Sequence, residues 1–214
     1  MKTIKASVDT ELITSEDGNN TYEVIKKLSV SEGKCGYLIS LYPTRTESNI
    51  FSNDSTLNHL VSHMTDLGLK ELHILSLFSK VVTSKISSRG LVVDEDNMKY
   101  LDKVMHSKKF KDGQFIIAWG SSMKSSHAVN EAKERIIGMY HNLYPEGLLY
   151  QLGVEGKSIA DIAPHPLYLG IQAKYLRWIL CDFKLPVKAD SEEYILTAFT
   201  IPTIADKLIS ACLS

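Results

Sequence analysis

The sequence predicts an α/β protein of three layers, α/β/α, built on a mostly parallel central sheet, with N-terminal β segments and a C-terminal helical extension. Three observations carry that expectation. From residue 36 onward, short apolar runs alternate with segments whose apolar residues recur at helical spacing. The 214 residues are 44% hydrophobic and 23% charged, enough for one domain with a sizeable core and unlike a disordered chain. Finally, 24 Lys and Arg against 25 Asp and Glu leave a net charge of −1, so the chain does not coat nucleic acid by bulk charge. Any such contact is local.

Residues 3–14 and 21–30 lean toward β structure on either side of Glu16-Asp17-Gly18-Asn19-Asn20, a turn-forming cluster, which suggests a hairpin; Tyr22–Leu28 also fits a short helix. Gly36–Tyr42 is an apolar run ended by Pro43, hence a buried strand. Leu57, Leu60, Val61, Met64 and Leu67 repeat at helical spacing, and Glu71–Phe78 reads as the next buried strand. Residues 94–107 form an amphipathic helix whose first turn, Asp94 to Asp96, suits the helix dipole. Gln114–Trp119 is a strand closed by Gly120, with Ser121 or Ser122 capping a long helix that runs to about Asn142. Leu148–Leu152 and Ser158–Ile162 read as two short strands, and Gly170–Phe183 as a strong helix. Ser191–Ser214 holds one or two more helices, broken at Pro202.

One domain over 1–214 follows, divided into β segments over 1–34, a core over 35–183 and the extension over 184–214. The extension is apolar enough to pack on its own domain or to join two copies in a homodimer. No run of 18 apolar residues exists to span a membrane, and the N-terminus lacks the apolar stretch of a signal peptide. Cys35, Cys181 and Cys212 form no CxxC pair, which argues against a disulfide framework and a zinc site. The expectation is a cytoplasmic protein without metal or cofactor.

In sheets of this type, ligands bind beyond the carboxyl ends of the strands. That rule gathers Tyr42–Thr46, Ser76–Ser79, Gly120–Lys124 and His165–Tyr168 on one rim. The Gly120 turn, with Ser121 and Lys124, fits either an anion seat or simple helix capping. Proline on both sides of His165 makes a rigid loop presenting an imidazole, either to a polar ligand or to a backbone carbonyl. His59 and His63 stand four apart on the polar side of their helix and read as a solvated face. The Ser- and Thr-rich basic stretch Thr83–Arg89 fits a phosphate-contacting loop or an ordinary connector. No nucleophile elbow, Walker loop or dinucleotide fingerprint is present.

Several of these pieces occur in a familiar order: Leu41-Tyr42-Pro43-Thr44, Asn53-Asp54-Ser55-Thr56, Leu75-Ser76-Leu77-Phe78, Asn97, Ala118-Trp119-Gly120 and His165-Pro166-Leu167-Tyr168-Leu169. Over about residues 20 to 180 the set resembles the domain-of-unknown-function family sixteen-forty-three of bacteria and phages. That family is distantly similar to the uracil-DNA glycosylase superfamily, in which a first motif positions the attacking water and a late His-Pro motif supplies a histidine to the base carbonyl. Tyr42 and Ser76 stand where the family carries asparagines, and Thr44 where it carries Ser. A phenol does not hold a water as an amide does, but it stacks on a flat ring.

The resemblance implies a uracil-DNA-glycosylase-like fold and a partner that is a nucleobase, a nucleotide or nucleic acid. As a base-releasing hydrolase, the chain would use His165 against charge developing on the base and Asp54 or Glu47 to direct water. Ligand contacts are expected from Tyr42, Pro43, Thr44, Arg45, Ser76, Asn97, Trp119, Gly120, Ser121, Lys124, Pro166 and Tyr168. A bound phosphate would sit at the helix start near Ser121, within reach of Lys124 or Arg45. The alternative is a non-catalytic nucleotide-binding or protein-interaction factor of phage or host defence.

Overall fold

The computed structural model describes residues 1–30, 32–82, 90–159 and 162–184. Its strands are β1 (Val8–Thr14), β2 (Thr21–Leu28), β3 (Lys34–Ser40), β4 (Leu69–Ser76), β5 (Gln114–Ile117), β6 (Leu149–Val154) and β7 (Trp178–Asp182). Its α-helices are α1 (Ser55–His63), α2 (Glu95–Met105), α3 (Lys108–Lys111), α4 (His127–Leu143) and α5 (Pro166–Ala173). Side chains of Asp54, Asp94, Ser107, Ser126 and His165 cap these five helices in turn, each accepting a backbone N–H of the first turn.

The strands form one sheet in the order β1-β2-β4-β3-β5-β6-β7. β3 runs parallel to β4 and to β5, and β5 parallel to β6. The hairpin β1–β2 adds antiparallel to β4, and β7 adds antiparallel to β6. The sheet is therefore mixed, with antiparallel pairings on both flanks, which corrects the expectation of a mostly parallel one. The N-terminal hairpin lies in the same sheet as the core strands.

β7 is the second correction. Residues read as one helix over Gly170–Phe183 instead divide between the end of α5 and a strand. Trp178 is fully buried and Leu180 packs on the same core cluster, alternating with Ile179 and Cys181, so the period is two. A short apolar run fits both periods, and pairing with β6 decides it. Ser158 and Ile159 lie in no strand; residues 160 and 161, like Thr83–Arg89, Ser191–Ser214 and all beyond Lys184, lie outside the described residues. The proposed dimer through the extension falls there too.

Alternation along β3 and β5 builds two cores. Tyr37, Ile39, Phe115 and Ile117 face α2 and α4, packing with Met98, Leu101, Val129 and Ile136. Leu38 and Ile116 face α1 and α5, packing with Leu60, Met64, Leu169 and Trp178. The three-layer expectation is met. A fully buried Leu or Ile contributes about 1.5–3 kcal/mol, so each face is held by several such residues. Leu38, Leu60, Ile116 and Leu101 are completely covered.

His63 does not lie on a solvated face. Its ring stacks on Trp178 at 4.3 Å and its Nδ1 pairs with Asp66 at 2.8 Å. His59 packs so closely against Gly170 that a side chain there would collide with the imidazole. Among the described residues no helix is long and apolar enough to cross a membrane.

Candidate functional site

From β3 the chain crosses through α1 to β4 on one side, and from β4 it crosses through α2 to β5 on the other. The crossovers pack on opposite faces, so a crevice opens beyond the carboxyl ends of the central strands. A cavity of about 80 Å³ occupies it, several times the space one water needs. Its wall includes Tyr42, Pro43, Thr44, Arg45, Ser76 and His165, which sequence reasoning had placed on the rim, and Asp54, which the family resemblance had singled out.

His165 is the most constrained of them. Gln151 Oε1 accepts the Ala163 N–H at 2.8 Å, and the Ala163 carbonyl accepts the Gly120 N–H, also at 2.8 Å. Ala163 is thereby held in the left-handed region at φ 53°. Gly120, at φ 70°, lies so near that a Cβ would stand 2.9 Å from the His165 Cβ; only glycine fits the turn. His165 Nδ1 then accepts the Leu167 N–H at 3.2 Å as the cap of α5. With Nδ1 an acceptor, the neutral ring carries its proton on Nε2, as a donor. Burial pushes the imidazole below its ordinary value, with the Asp54 charge opposing. Neutrality is therefore the state at pH 7.

Asp54 is ionised but committed. Burial works against its charge, yet hydrogen bonds from the Thr44 hydroxyl and the Leu57 N–H, with the Arg45 guanidinium, hold it below the usual carboxylate range. The Arg45–Asp54 pair is 3.2 Å long, and Arg45 Nη1 also donates to the Ser52 carbonyl at 2.6 Å and the Asn49 carbonyl at 3.2 Å. Arg45 Nε is buried with no partner among the described residues.

Tyr42 stacks on Phe78 at 5.2 Å and its hydroxyl donates to Met123 Sδ at 3.2 Å; burial raises its phenol. Ser40 and Ser76 share a hydroxyl contact of 3.0 Å at the cavity floor.

The remaining predicted residues lie elsewhere. Glu47 is exposed in a 3-10 turn over Glu47–Asn49 and accepts from Thr14 at 3.3 Å, away from the cavity wall. Asn97 is completely buried, where its Nδ2 donates to the Ser76 and Leu77 carbonyls at 2.8 and 3.1 Å and braces the strand end. Trp119 is buried edge-on against Phe183 and lies beneath Lys133. Ser121 and Lys124 are exposed in a turn rather than at a helix start. Met123 is left-handed at φ 58°, and α4 begins only after Ser126, so the anion seat expected at Ser121 has no helix N-terminus behind it. Pro166 is buried in the first turn of α5, and Tyr168 points outward at 57% exposure.

Sequence reasoning missed what β2 brings. Thr21 and Val24 line the cavity, and the Thr21 hydroxyl donates to the Arg45 carbonyl at 2.6 Å. Lys26 is 3% exposed beside Asp54's neighbour Asn53, its Nζ donating to Asn53 Oδ1 at 2.8 Å and Thr10 Oγ1 at 2.9 Å. Burial, then the Arg45 charge, push its ammonium down while Asp54 supports it. Two cations against one carboxylate leave the region behind the cavity positive. Spacing puts Val24 and Lys26 on one strand face, but only the pairing of β2 with β4 brings that face to the cavity.

No curated protein and no solved structure matches the chain. A family described as "Protein of unknown function (DUF1643)" matches residues 24–167, a span that runs from Val24 in β2 to Leu167 in α5 and takes in every cavity-lining residue except Thr21. More than half of the chain is covered. The chain is a member of that family of proteins of unknown function.

Proposed function

We propose that the protein recognises a nucleobase or a nucleotide at this cavity, on a scaffold resembling the uracil-DNA glycosylases, by binding rather than by releasing the base. One observation carries the reading: His165 has its Nδ1 occupied by the Leu167 N–H, which leaves Nε2–H as a fixed neutral donor at the cavity wall. Such a donor suits a carbonyl oxygen on a planar ring, and Tyr42, backed by the buried Phe78, offers an aromatic ring at the wall. The positive surplus of Lys26 and Arg45 over Asp54 favours a ligand carrying negative charge, as a nucleotide does.

The carboxylates speak against hydrolysis. Asp54 is engaged by the Thr44 hydroxyl, the Leu57 N–H and Arg45, and Glu47 is not at the wall, which favours binding over water activation.

Thermal denaturation across a panel of bases, nucleosides, nucleotides and short oligonucleotides tests the reading, with mass spectrometry for free base. A ligand at one hundred times its dissociation constant stabilises by about 2.7 kcal/mol. Stabilisation lost in His165→Ala and no base release are the expected results. Released base establishes the hydrolase instead. Indifference to the whole panel overturns both.

A further inference from the structure

The face of the sheet toward α2 carries a second buried polar cluster, which the cavity does not use. Cys35 and Glu71 are direct partners across the β3–β4 ladder, and His73 follows Glu71 by two positions, so the three share a face. The Cys35 sulfur, a Glu71 carboxylate oxygen and a His73 ring nitrogen all lie within 4.8 Å of one another. Glu71 and His73 are each 6% exposed and Cys35 is half-buried.

We propose that Cys35, Glu71 and His73 form a site for a zinc-type divalent transition metal. Thiolate, imidazole and carboxylate together are the donor set of zinc, and a thiolate disfavours magnesium and calcium. The lack of paired cysteines in the sequence does not bear on a site assembled across two strands.

Three features around the ligands fit a metal. The other ring nitrogen of His73, Nδ1, contacts Glu23 Oε1 at 2.5 Å, and Glu23 in turn accepts from the Tyr100 hydroxyl. A carboxylate behind a ligating imidazole fixes its tautomer and orientation. Tyr37 stacks on the His73 ring at 4.4 Å and 18°, holding its plane. Lastly, Glu71 is paired with the Lys109 ammonium, at an oxygen that also contacts His73 Nε2 at 2.9 Å. A cation therefore already pairs with the carboxylate that the metal would take. Its side chain is 51% exposed, so it can withdraw into solvent.

With metal, the dication and Lys109 together balance the Cys35 thiolate, Glu71 and Glu23, and the protons displaced from the ligands leave to solvent. A water completes the fourth position. The site would tie β3 to β4 and, through Glu23, to β2.

Cobalt(II) titration of the full chain, freed of metal by a chelator, reads this directly. The expected result is one cobalt per chain with visible ligand-field bands and a thiolate-to-cobalt charge-transfer band. Cys35→Ser should remove the charge-transfer band. Lys109→Ala should tighten binding about two- to fivefold, the worth of a partly exposed ion pair. No cobalt spectrum overturns the proposal. So does a charge-transfer band that survives Cys35→Ser, since it would belong to another cysteine. Binding that is unchanged or weaker in Lys109→Ala removes the competing ammonium from the account and overturns it as well.

Discussion

Two imidazoles sit on opposite faces of the same sheet in opposite circumstances. His73 has a carboxylate at each ring nitrogen, Glu23 at 2.5 Å and Glu71 at 2.9 Å. Two carboxylates, one from β2 and one from β4, therefore converge on a single ring. His165 has a backbone N–H at Nδ1 and burial around it, which favour the neutral ring. Neighbours rather than residue type decide what each does: one bridges carboxylates of two strands, and the other offers a single donor to a cavity.

The comparison breaks most visibly at His73. His73→Ala leaves Glu23 and Glu71 buried without their shared partner, and removing one member of a buried charged set costs about 3–5 kcal/mol. Urea denaturation should show this loss at pH 7, and a drop under 1 kcal/mol would mean that water or Lys109 repairs the gap.

Gly120→Ala comes next, at about 1–2 kcal/mol for a left-handed alanine, plus a shift of His165 away from the new methyl group. Ligand affinity should fall along with stability. Affinity unchanged under reduced stability would separate the turn from the imidazole.

His165→Gln has the smallest effect, a change of slope rather than of level. Burial lowers the His165 value below 6.5, so within that window the unfolded chain binds a proton and the folded chain does not. Stability contributed by this residue is therefore complete above pH 6.5 and declines as pH falls through the window. The glutamine variant should lose that portion of the slope in melts run from pH 7.5 down to 5. An identical profile in both proteins would place the imidazole in solvent.

Much of this arrangement was legible in the residues. Apolar runs ending at Pro43 and Gly120 located β3 and β5, and the periodicity from Leu57 to Leu67 located α1, because burial writes its period directly into sequence. Tyr42, Pro43, Thr44, Arg45, Ser76 and His165 reached one cavity because strand ends gather on a rim in this architecture, and Asp54 reached it as the cap of the helix that follows. Lys26, Thr21 and Val24 were not legible as neighbours of the cavity, since the register of β2 against β4 is chosen by contacts nearly fifty residues apart. The same holds for Glu23 and Lys109 around His73: alternation aligns Glu71 with His73, but only tertiary packing brings the other two. Tyr168, Ser121 and Lys124 shared the rim segments, and Glu47 followed one of them, yet all four are exposed, because segment position does not state side-chain direction.

The left-handed alanine at position 163 has a consequence for how substitution there would be felt. Glycine at this position would relax the backbone of the folded chain but enlarge the freedom of the unfolded one, two effects of similar size and opposite sign. A melting curve would register mainly the lost methyl of this fully buried residue, about 1 kcal/mol. The loop carrying the imidazole, however, would sample a wider arc, and every ligand would have to gather it before binding. Selection on this position would then act through affinity as much as through thermal stability.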